Sequence, residues 1–297
     1  MTAPEIVIAI DWSGRVDAAG QRRHIVSATW QAGKVRVESG RSRDEVADWL
    51  IGFAAKHPAL VVGFDFCFSF PAWFVKEVGA HSVPEFWALV AEHGERWLSR
   101  ESEDRRFWGK PHKRPAEFSG EHIHRMLRAT DIDCKLAAHI PDEERALRVK
   151  GISPKSVFQI GGSGSVGTAS LRGMAVLQRL HAAGFCVWPF DAPEAGKPLV
   201  VEMYTRLNTG PVHKSNAAAR ATYLQRKRDE DPAYAALGGT ALAKAKAGED
   251  AFDALISCMV MTEHRRQFYS LPEPRDPKYR LEGWTWAADA ASSCLAL

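Results

Sequence analysis

Three short apolar segments of the chain each carry an acid at or near their end. IVIAID ends at Asp11, LVVGFD ends at Asp65, and LVVEMY contains Glu202. Apolar runs of this length are typical of buried strands, and amphipathic helical patterns lie between them. Such a sequence favours an α/β fold, with helices on the faces of a sheet and carboxylates at the ends of its strands.

The order of the elements predicts a mixed sheet. Three strand patterns open the chain and predict a meander of antiparallel hairpins; they cover residues 5–11, 24–30 and 34–38, with turns at 19–23 and 31–33. Alternating elements follow: a helix at 44–56, a strand at 59–66, helices at 84–98 and 169–183, strands at 186–191 and 198–206, and helices at 216–227 and 250–263. Helices between strands place parallel strands beside the meander.

The chain is long enough for one large α/β domain or two small ones, with 297 residues. We expect a single domain over residues 1–297, because strands and helices of one pattern lie on both sides of a polar stretch. That stretch runs from about residue 100 to 155 and has weak periodicity. It predicts an insertion with little core of its own.

Composition and charge exclude several classes of protein. The chain is 45% apolar and 25% charged, as in ordinary globular proteins, and its net charge of +3 does not indicate a nucleic-acid binder. Its five cysteines form no C-x-x-C motif, so neither a disulfide framework nor a zinc site is expected. The opening residues lack the features of a signal peptide, and no apolar stretch could span a membrane. We expect a cytoplasmic protein without a membrane partner, and its oligomeric state stays open.

The acids of the apolar segments are joined by Asp250 and Asp253, which lie three residues apart on roughly one face of a late helix. Any one of these acids alone fits a turn or a helix cap. Several together in apolar surroundings are costly, since a buried carboxylate without a partner costs several kcal/mol. A hard cation would relieve that cost, so the pattern predicts Mg²⁺ or Mn²⁺.

Several segments together are similar to a family catalogued as domain of unknown function 429, which is placed among predicted ribonuclease H-like nucleases. The segments are EIVIAIDWSG, GFDFCFSFP, GSGSVGTASLRGMAVLQRL, VWPFD, VVEMYTR and EDAFDALISCMVM. They span nearly the whole chain apart from about residues 100 to 150. The order of the elements, with an Asp on the first and fourth strands and a late acidic helix, resembles the ribonuclease H-like fold.

This resemblance implies a metal site formed by Asp11, Asp65 and an acid of the late helix. Asp250 is the helix acid assigned to the metal, and Asp253 is the alternative. Glu202 is a further catalytic candidate. If the strands that carry Asp11 and Asp65 pair in parallel, both carboxylates leave the same end of the sheet. Ser13 and Gly14 would then leave room for a substrate phosphate. In well-studied ribonuclease H enzymes the second acid usually lies on the first helix, where this chain has Asp44, Glu45 and Asp48.

A second motif allows a different interpretation. Residues 162–167, GSGSVG, match G-x-G-x-x-G between the strand-like VFQI and a predicted helix, and Asp191 follows about 24 residues later. One alternative is therefore an NAD-binding oxidoreductase with Asp191 on the ribose. A plain turn is another. A third is a phosphate site at Gly164 and Ser165, held by backbone N–H groups at the start of the helix.

Two basic segments suggest a nucleic-acid surface. RRFWGKPHKR at 105–114 contains five Lys or Arg, no acid and two aromatic residues, and residues 203–228 contain six Lys or Arg and no acid. Cations and exposed aromatic rings can bind a nucleic-acid backbone and its bases. Lys214, in the second segment, is a candidate for a substrate phosphate. The alternative for both segments is an ordinary solvated surface.

The sequence thus predicts a metal-dependent, nuclease-like phosphodiester hydrolase that acts on nucleic acid or a nucleotide. Metal ions would lower the pKa of a bound water and stabilise developing charge. Besides the NAD-binding reading, an actin-like phosphotransferase stays open, although that fold usually occurs in two copies. The last alternative is a non-catalytic nucleotide- or partner-binding module on the same fold.

Overall fold

The computed structural model describes residues 3–99, 102–109, 114–118, 125–137, 154–162 and 165–288. These residues form one mixed sheet of seven strands. The strands are β1 (Ile6–Asp11), β2 (Val26–Gln31), β3 (Lys34–Glu38), β4 (Leu60–Phe64), β5 (Cys186–Val187), β6 (Leu199–Met203) and β7 (Thr285–Trp286). The predicted α/β class and mixed sheet are confirmed.

Helices surround the sheet throughout the described residues. They are α1 (Ala18–His24), α2 (Arg43–Ala54), α3 (Ala72–Glu77), α4 (Val83–Leu98), α5 (Ala129–Ala137), α6 (Val166–Ala182), α7 (Thr205–Thr209), α8 (Ala217–Glu230), α9 (Pro232–Ala235), α10 (Gly239–Ala247), α11 (Glu249–Glu263) and α12 (Tyr279–Glu282). Local signals set their starts: Ser42 and Glu45 form a capping box at α2, and Ser82 caps α4.

The strands lie in the order β3-β2-β1-β4-β6-β5, and β7 also pairs with β6. β1 with β2 and β2 with β3 are antiparallel, as the predicted hairpins require. β4 pairs in parallel with β1 and with β6, and β5 and β7 are parallel to β6. β1 and β4 are therefore central strands, and their ends lie next to each other.

Alternate residues of the central strands point to opposite faces of the sheet and bury two separate cores. Ile8 and Ile10 belong to the core formed with α2, α4 and α6. Val7 and Ala9 belong to the core formed with α8, α10 and α11. By the same alternation Asp11, the last residue of β1, lies on the side of α11.

Three elements differ from the sequence-based expectation. The strand predicted at 198–206 ends at Met203 and is followed by α7 from Thr205. Residues 19–23, predicted as a turn, lie in α1, because Asp17 accepts a hydrogen bond from the N–H of Gly20 at 2.6 Å and caps this helix. The strand predicted at 186–191 ends at Val187. Its continuation folds back because the carboxylate of Asp191 accepts a hydrogen bond from the N–H of Val187 at 2.8 Å.

The segment predicted as an insertion contributes to the core where the structure describes it. Phe107, Trp108 and Met126 are 1%, 6% and 0% exposed and belong to the core formed with α2, α4 and α6, so the expected insertion stays a prediction. Phe107 and Trp108 pack with other rings, Trp97 and Phe158 among them. They are therefore core residues and not exposed platforms for nucleic-acid bases. Residues 100–101, 110–113, 119–124 and 138–153 of this segment lie outside the described residues.

Candidate functional site

Asp11 and Asp65 lie side by side at one end of the sheet. Ile10 of β1 and Phe64 of β4 are partners in the parallel pair, and an aspartate follows each of them. Neighbouring strands are about 4.8 Å apart, and the nearby charge of Asp65 helps to raise the pKa of Asp11. The N–H of Trp12 also donates to Oδ1 of Asp65, at 2.6 Å. The parallel pairing expected from the sequence is confirmed.

The third carboxylate comes from the second turn of α11. Asp253 is 0% exposed, and its Oδ2 accepts a hydrogen bond from the ammonium group of Lys214. Its Oδ1 is buried and has no hydrogen-bond partner among the described residues. An unpaired buried acceptor costs about 1–3 kcal/mol, and more if it is charged. We call Asp11, Asp65 and Asp253 the carboxylate cluster.

Asp250 lies at the rim of this cluster and not within it. Its side chain is 37% exposed, and its Oδ2 is 2.9 Å from Nδ1 of His24. Asp250 belongs to the first turn of α11, one turn before Asp253 and closer to solvent. Of the two helix acids that the sequence left open, the geometry favours Asp253 over Asp250, and the metal set itself stays a prediction. No sequence pattern indicated the contact with His24, which was expected in a strand.

Burial and mutual repulsion raise the pKa of the clustered acids. The pKa of Asp11 is well above its ordinary value because of burial and the nearby carboxylates of Asp65 and Asp253. Burial raises the pKa of Asp65 to about 8, against the hydrogen bond from Trp12. Burial also raises the pKa of Asp253, and Lys214 opposes that shift. The site therefore holds its full negative charge at neutral pH only if more positive charge is supplied.

These shifts predict how the stability of the metal-free protein depends on pH. An aspartate has an ordinary pKa of about 3.9, so the folded chain, with Asp65 at about 8, binds the proton more tightly than the unfolded chain. The free energy of unfolding should therefore fall as pH rises between about 4 and 8. Urea unfolding in the presence of chelator measures it. Asp65→Asn should flatten the slope, and a stability that rises across this window would contradict the prediction.

Lys214 owes its position to a buried arginine. Arg220 of α8 is 4% exposed, and its guanidinium donates to the carbonyl oxygens of Lys214, Lys246 and Ala247. Burial alone lowers the pKa of Lys214, but the carboxylates of Asp253, Asp11 and Asp65 raise it above the ordinary value. Within the second basic segment, Lys214 is therefore fixed with its ammonium group beside these acids.

Glu202 does not join the carboxylate cluster. It is the partner of Phe64 in the sheet, one residue before the level of Asp65, so its side chain points to the opposite face. There Arg128 donates to both carboxylate oxygens, at 2.6 and 2.7 Å, and the N–H of Phe68 and the hydroxyl of Thr285 each donate at 2.8 Å. Each oxygen of the Glu202 carboxylate therefore already accepts two hydrogen bonds. These contacts favour a structural role for Glu202, and the catalytic role expected from the sequence stays a prediction.

Ser13 and Gly14 follow Asp11 in a tightly packed loop. A Cβ on Gly14 would lie 2.9 Å from the backbone nitrogen of Ala169, at the start of α6. The side chain of Ser13 accepts a hydrogen bond from the N–H of Arg15 at 3.3 Å. The small residue at position 14 therefore has a packing reason of its own. Its predicted role beside a substrate phosphate stays a prediction.

The glycine motif does not have the setting of a dinucleotide site in the described residues. VFQI forms no strand of the sheet and makes a single bridge, between Gln159 and Trp108. A Cβ on Gly167 would lie 2.1 Å from the carbonyl oxygen of Val157, so packing explains this glycine. Ser165 precedes α6 without a side-chain cap, and Gly164 lies outside the described residues. Asp191 closes the turn after β5, which disfavours a role on a ribose.

Comparisons with protein-family models, with curated proteins and with solved structures find no match for this chain. No helix in the described ranges is long and apolar enough to cross a membrane. In the same ranges no group of three or more His, Cys, Asp or Glu side chains already has the arrangement of a metal site. In the carboxylate cluster, the ammonium of Lys214 lies on Asp253. What the cluster binds must be inferred from its own geometry.

Proposed function

We propose that this chain is a divalent-metal-dependent phosphodiester hydrolase of the nuclease type, acting on nucleic acid or a nucleotide. The observation that carries the proposal is the buried, unpartnered Oδ1 of Asp253 in a cluster with Asp11 and Asp65. Buried polar atoms without a partner are rare in folded proteins and call for an explanation. A cation bound by the three carboxylates supplies one.

The residues of the cluster fit a hard divalent cation. Asp11, Asp65 and Asp253 offer carboxylate oxygens, which Mg²⁺ and Mn²⁺ prefer over other ligands. Their raised pKa values express a repulsion that a cation would offset. When bound, such ions lower the pKa of a coordinated water and stabilise charge on phosphoryl oxygens.

Lys214 fits the contact with a substrate phosphate. Its side chain is 41% exposed whereas Asp253 is fully buried, so the ammonium is the part of this ion pair that solvent reaches. We expect a cation on Asp253 to take over the neutralising role and leave Lys214 for a phosphate oxygen. His24 and Asp250 pair with each other at the rim of the cluster.

The topology supports the same proposal at a coarser level. β1, β2 and β3 form an antiparallel meander, β4 pairs in parallel with β1, and α11 packs across β1 and β2. This arrangement is similar to the ribonuclease H-like fold that the resemblance to domain of unknown function 429 implies. A fold does not establish a chemistry, so activity has to be measured directly.

The activity test is a cleavage assay with single-stranded, duplex and hybrid nucleic acids and with free nucleotides. We expect hydrolysis of at least one of these with Mg²⁺ or Mn²⁺ and none with chelator. Cleavage that survives chelator would contradict the proposed metal dependence. If the protein cleaves none of these substrates and binds no Mn²⁺, the proposal as a whole is refuted.

Metal binding can be tested without any substrate. We expect isothermal titration with Mn²⁺ to detect binding to the wild-type chain, and Asp253→Asn to weaken it by more than about tenfold, since even outer-shell partners of metal ligands contribute about 10–100-fold. The matched control is Glu263→Gln, which removes an exposed acid from the far end of the same helix. Equal affinities for wild type and Asp253→Asn would contradict the assignment of the ligand.

The ion pair between Lys214 and Asp253 favours one alternative function. A fixed ammonium in the place of a cation would suit a non-catalytic nucleotide- or partner-binding module. Lys214→Met separates the two possibilities, because it removes the charge and keeps most of the side-chain length. Under the hydrolase proposal this variant should bind Mn²⁺ at least as tightly as wild type. In the module, neither protein should bind the metal.

A further inference from the structure

A polar cavity of about 190 Å³ lies among α2, α4 and α6, on the face of the sheet away from α11. Pockets for drug-sized ligands measure about 300–1,000 Å³, so this cavity suits a smaller molecule. Three arginines line it, Arg43 from α2 and Arg172 and Arg179 from α6. Such a concentration of guanidinium groups in one small cavity has no role in the proposed hydrolysis.

Two of the three arginines already have carboxylate partners. Arg172 donates to both carboxylate oxygens of Glu95, at 2.7 and 2.8 Å. Arg179 donates to Asp44 at 3.0 Å and to Asp48 at 2.6 Å. Arg43 forms no ion pair with any described residue.

Arg43 is the guanidinium without a carboxylate partner, and its environment is unfavourable for a cation. Burial lowers its pKa, and the nearby guanidinium of Arg172 lowers it further. Its Nη1 donates to the carbonyl oxygens of Ser13 and Arg15, at 3.2 and 2.6 Å. No described residue accepts a hydrogen bond from its Nε or Nη2. These two nitrogens are the fork with which an arginine binds a planar or tetrahedral anion.

The same arginines connect the cavity to the loop that follows Asp11. Arg43 holds the carbonyl oxygens of Ser13 and Arg15, and Arg172 donates to the carbonyl oxygen of Gly14. Three consecutive carbonyl groups of one loop are thus held from the cavity. The guanidinium groups that would contact an anion in the cavity also hold the loop 13–15, which follows Asp11 of the carboxylate cluster.

We propose that this cavity binds a phosphate group, held by the free Nε and Nη2 of Arg43. Phosphate matches the bidentate geometry of a guanidinium, and its charge offsets that of the unpaired Arg43. The phosphate could belong to inorganic phosphate or to a mononucleotide, and the experiment below contains both. The site is independent of metal and of hydrolysis at the carboxylate cluster.

The test is isothermal titration of inorganic phosphate, with thermal unfolding as a second readout, in buffer with chelator and without divalent metal. Sulfate and chloride at equal ionic strength serve as controls for screening, and a mononucleotide forms the parallel arm. We expect phosphate to bind and to raise Tm, because a ligand that binds only the folded state stabilises it. Tighter binding of inorganic phosphate or of the mononucleotide identifies the physiological source, and either supports the site.

Two variants locate the binding. Arg43→Gln should weaken phosphate binding by more than tenfold. Ala175→Leu should do the same, since it fills the cavity and leaves every arginine in place. Arg22→Gln, which removes an exposed arginine outside the cavity, should bind like wild type. The proposal is overturned if wild type does not bind phosphate in preference to chloride, or if Ala175→Leu binds it with unchanged affinity. Because no metal is present, the outcome does not depend on the hydrolase proposal.

Discussion

Asp11→Asn is expected to lower kcat/KM for metal-dependent cleavage by at least about 100-fold, since even outer-shell partners of a metal ligand contribute about 10–100-fold. Asparagine keeps the size of the side chain and removes its negative charge. Asp11 is 8% exposed and lies against Asp65 at the end of β1. No exposed acid could therefore take its place without a rearrangement of the strand end.

Stability separates this effect from simple unfolding. The wild-type carboxylate is repelled by Asp65 and Asp253 and penalised by burial. The metal-free Asp11→Asn protein should therefore be at least as stable as wild type at neutral pH, as urea unfolding can measure. Low activity in a destabilised variant would not support a role as ligand. Low activity with unchanged or higher stability would.

Asp250→Asn is the matched comparison for the cleavage assay. Asp250 is 37% exposed and is held by His24. We expect its replacement to reduce the rate far less than that of Asp11, because the carboxylate lies at the rim of the cluster. Equal losses in the two variants would return Asp250 to the metal set that the sequence suggested. Unchanged cleavage in Asp11→Asn would refute the proposed site.

The pair formed by Asp11 and Asp65 could be predicted because its signal is local. An apolar run that ends in an acid marks the end of a buried strand, and parallel strands end at the same side of a sheet. Only the pairing of β1 with β4 had to be assumed, because α1, β2, β3 and α2 lie between these two strands in the chain. The structure has this pairing, with Ile10 beside Phe64.

The same local signal misled the reading of Glu202. A carboxylate in an apolar run indicates a buried acid but not the face to which it points. A difference of one residue in register reverses that face. Glu202 lies at the level of Phe64 and not of Asp65, and its partner Arg128 is 74 residues away in sequence. Neither fact can be read from the segment LVVEMY.

Depth within the helix decided between Asp250 and Asp253. Helical periodicity places both on roughly one face, as predicted. Periodicity does not show which of the two acids is covered by the rest of the protein. Asp250 is at the exposed beginning of the helix, and Asp253 lies where the helix is already covered.

Tertiary packing also buried Phe107 and Trp108, whose basic neighbours suggested an exposed surface.

Glu202→Gln is expected to lower the free energy of unfolding by about 3–5 kcal/mol, the usual cost of removing one partner from a buried ion pair. Arg128 is 1% exposed, and it loses a bidentate partner in this variant. Asp131, which accepts from Nε and Nη2 of Arg128 at 3.0 Å, would remain as its only carboxylate partner among the described residues. Urea unfolding at neutral pH measures the loss.

Two further measurements distinguish a structural from a catalytic Glu202. Glu194→Gln removes an acid from an exposed ion pair with Lys197 and should cost less than about 1 kcal/mol. The folded Glu202→Gln protein should bind Mn²⁺ as tightly as wild type, because its side chain lies on the other face of the sheet from Asp253. Loss of Mn²⁺ binding without loss of stability would place Glu202 in the metal site after all.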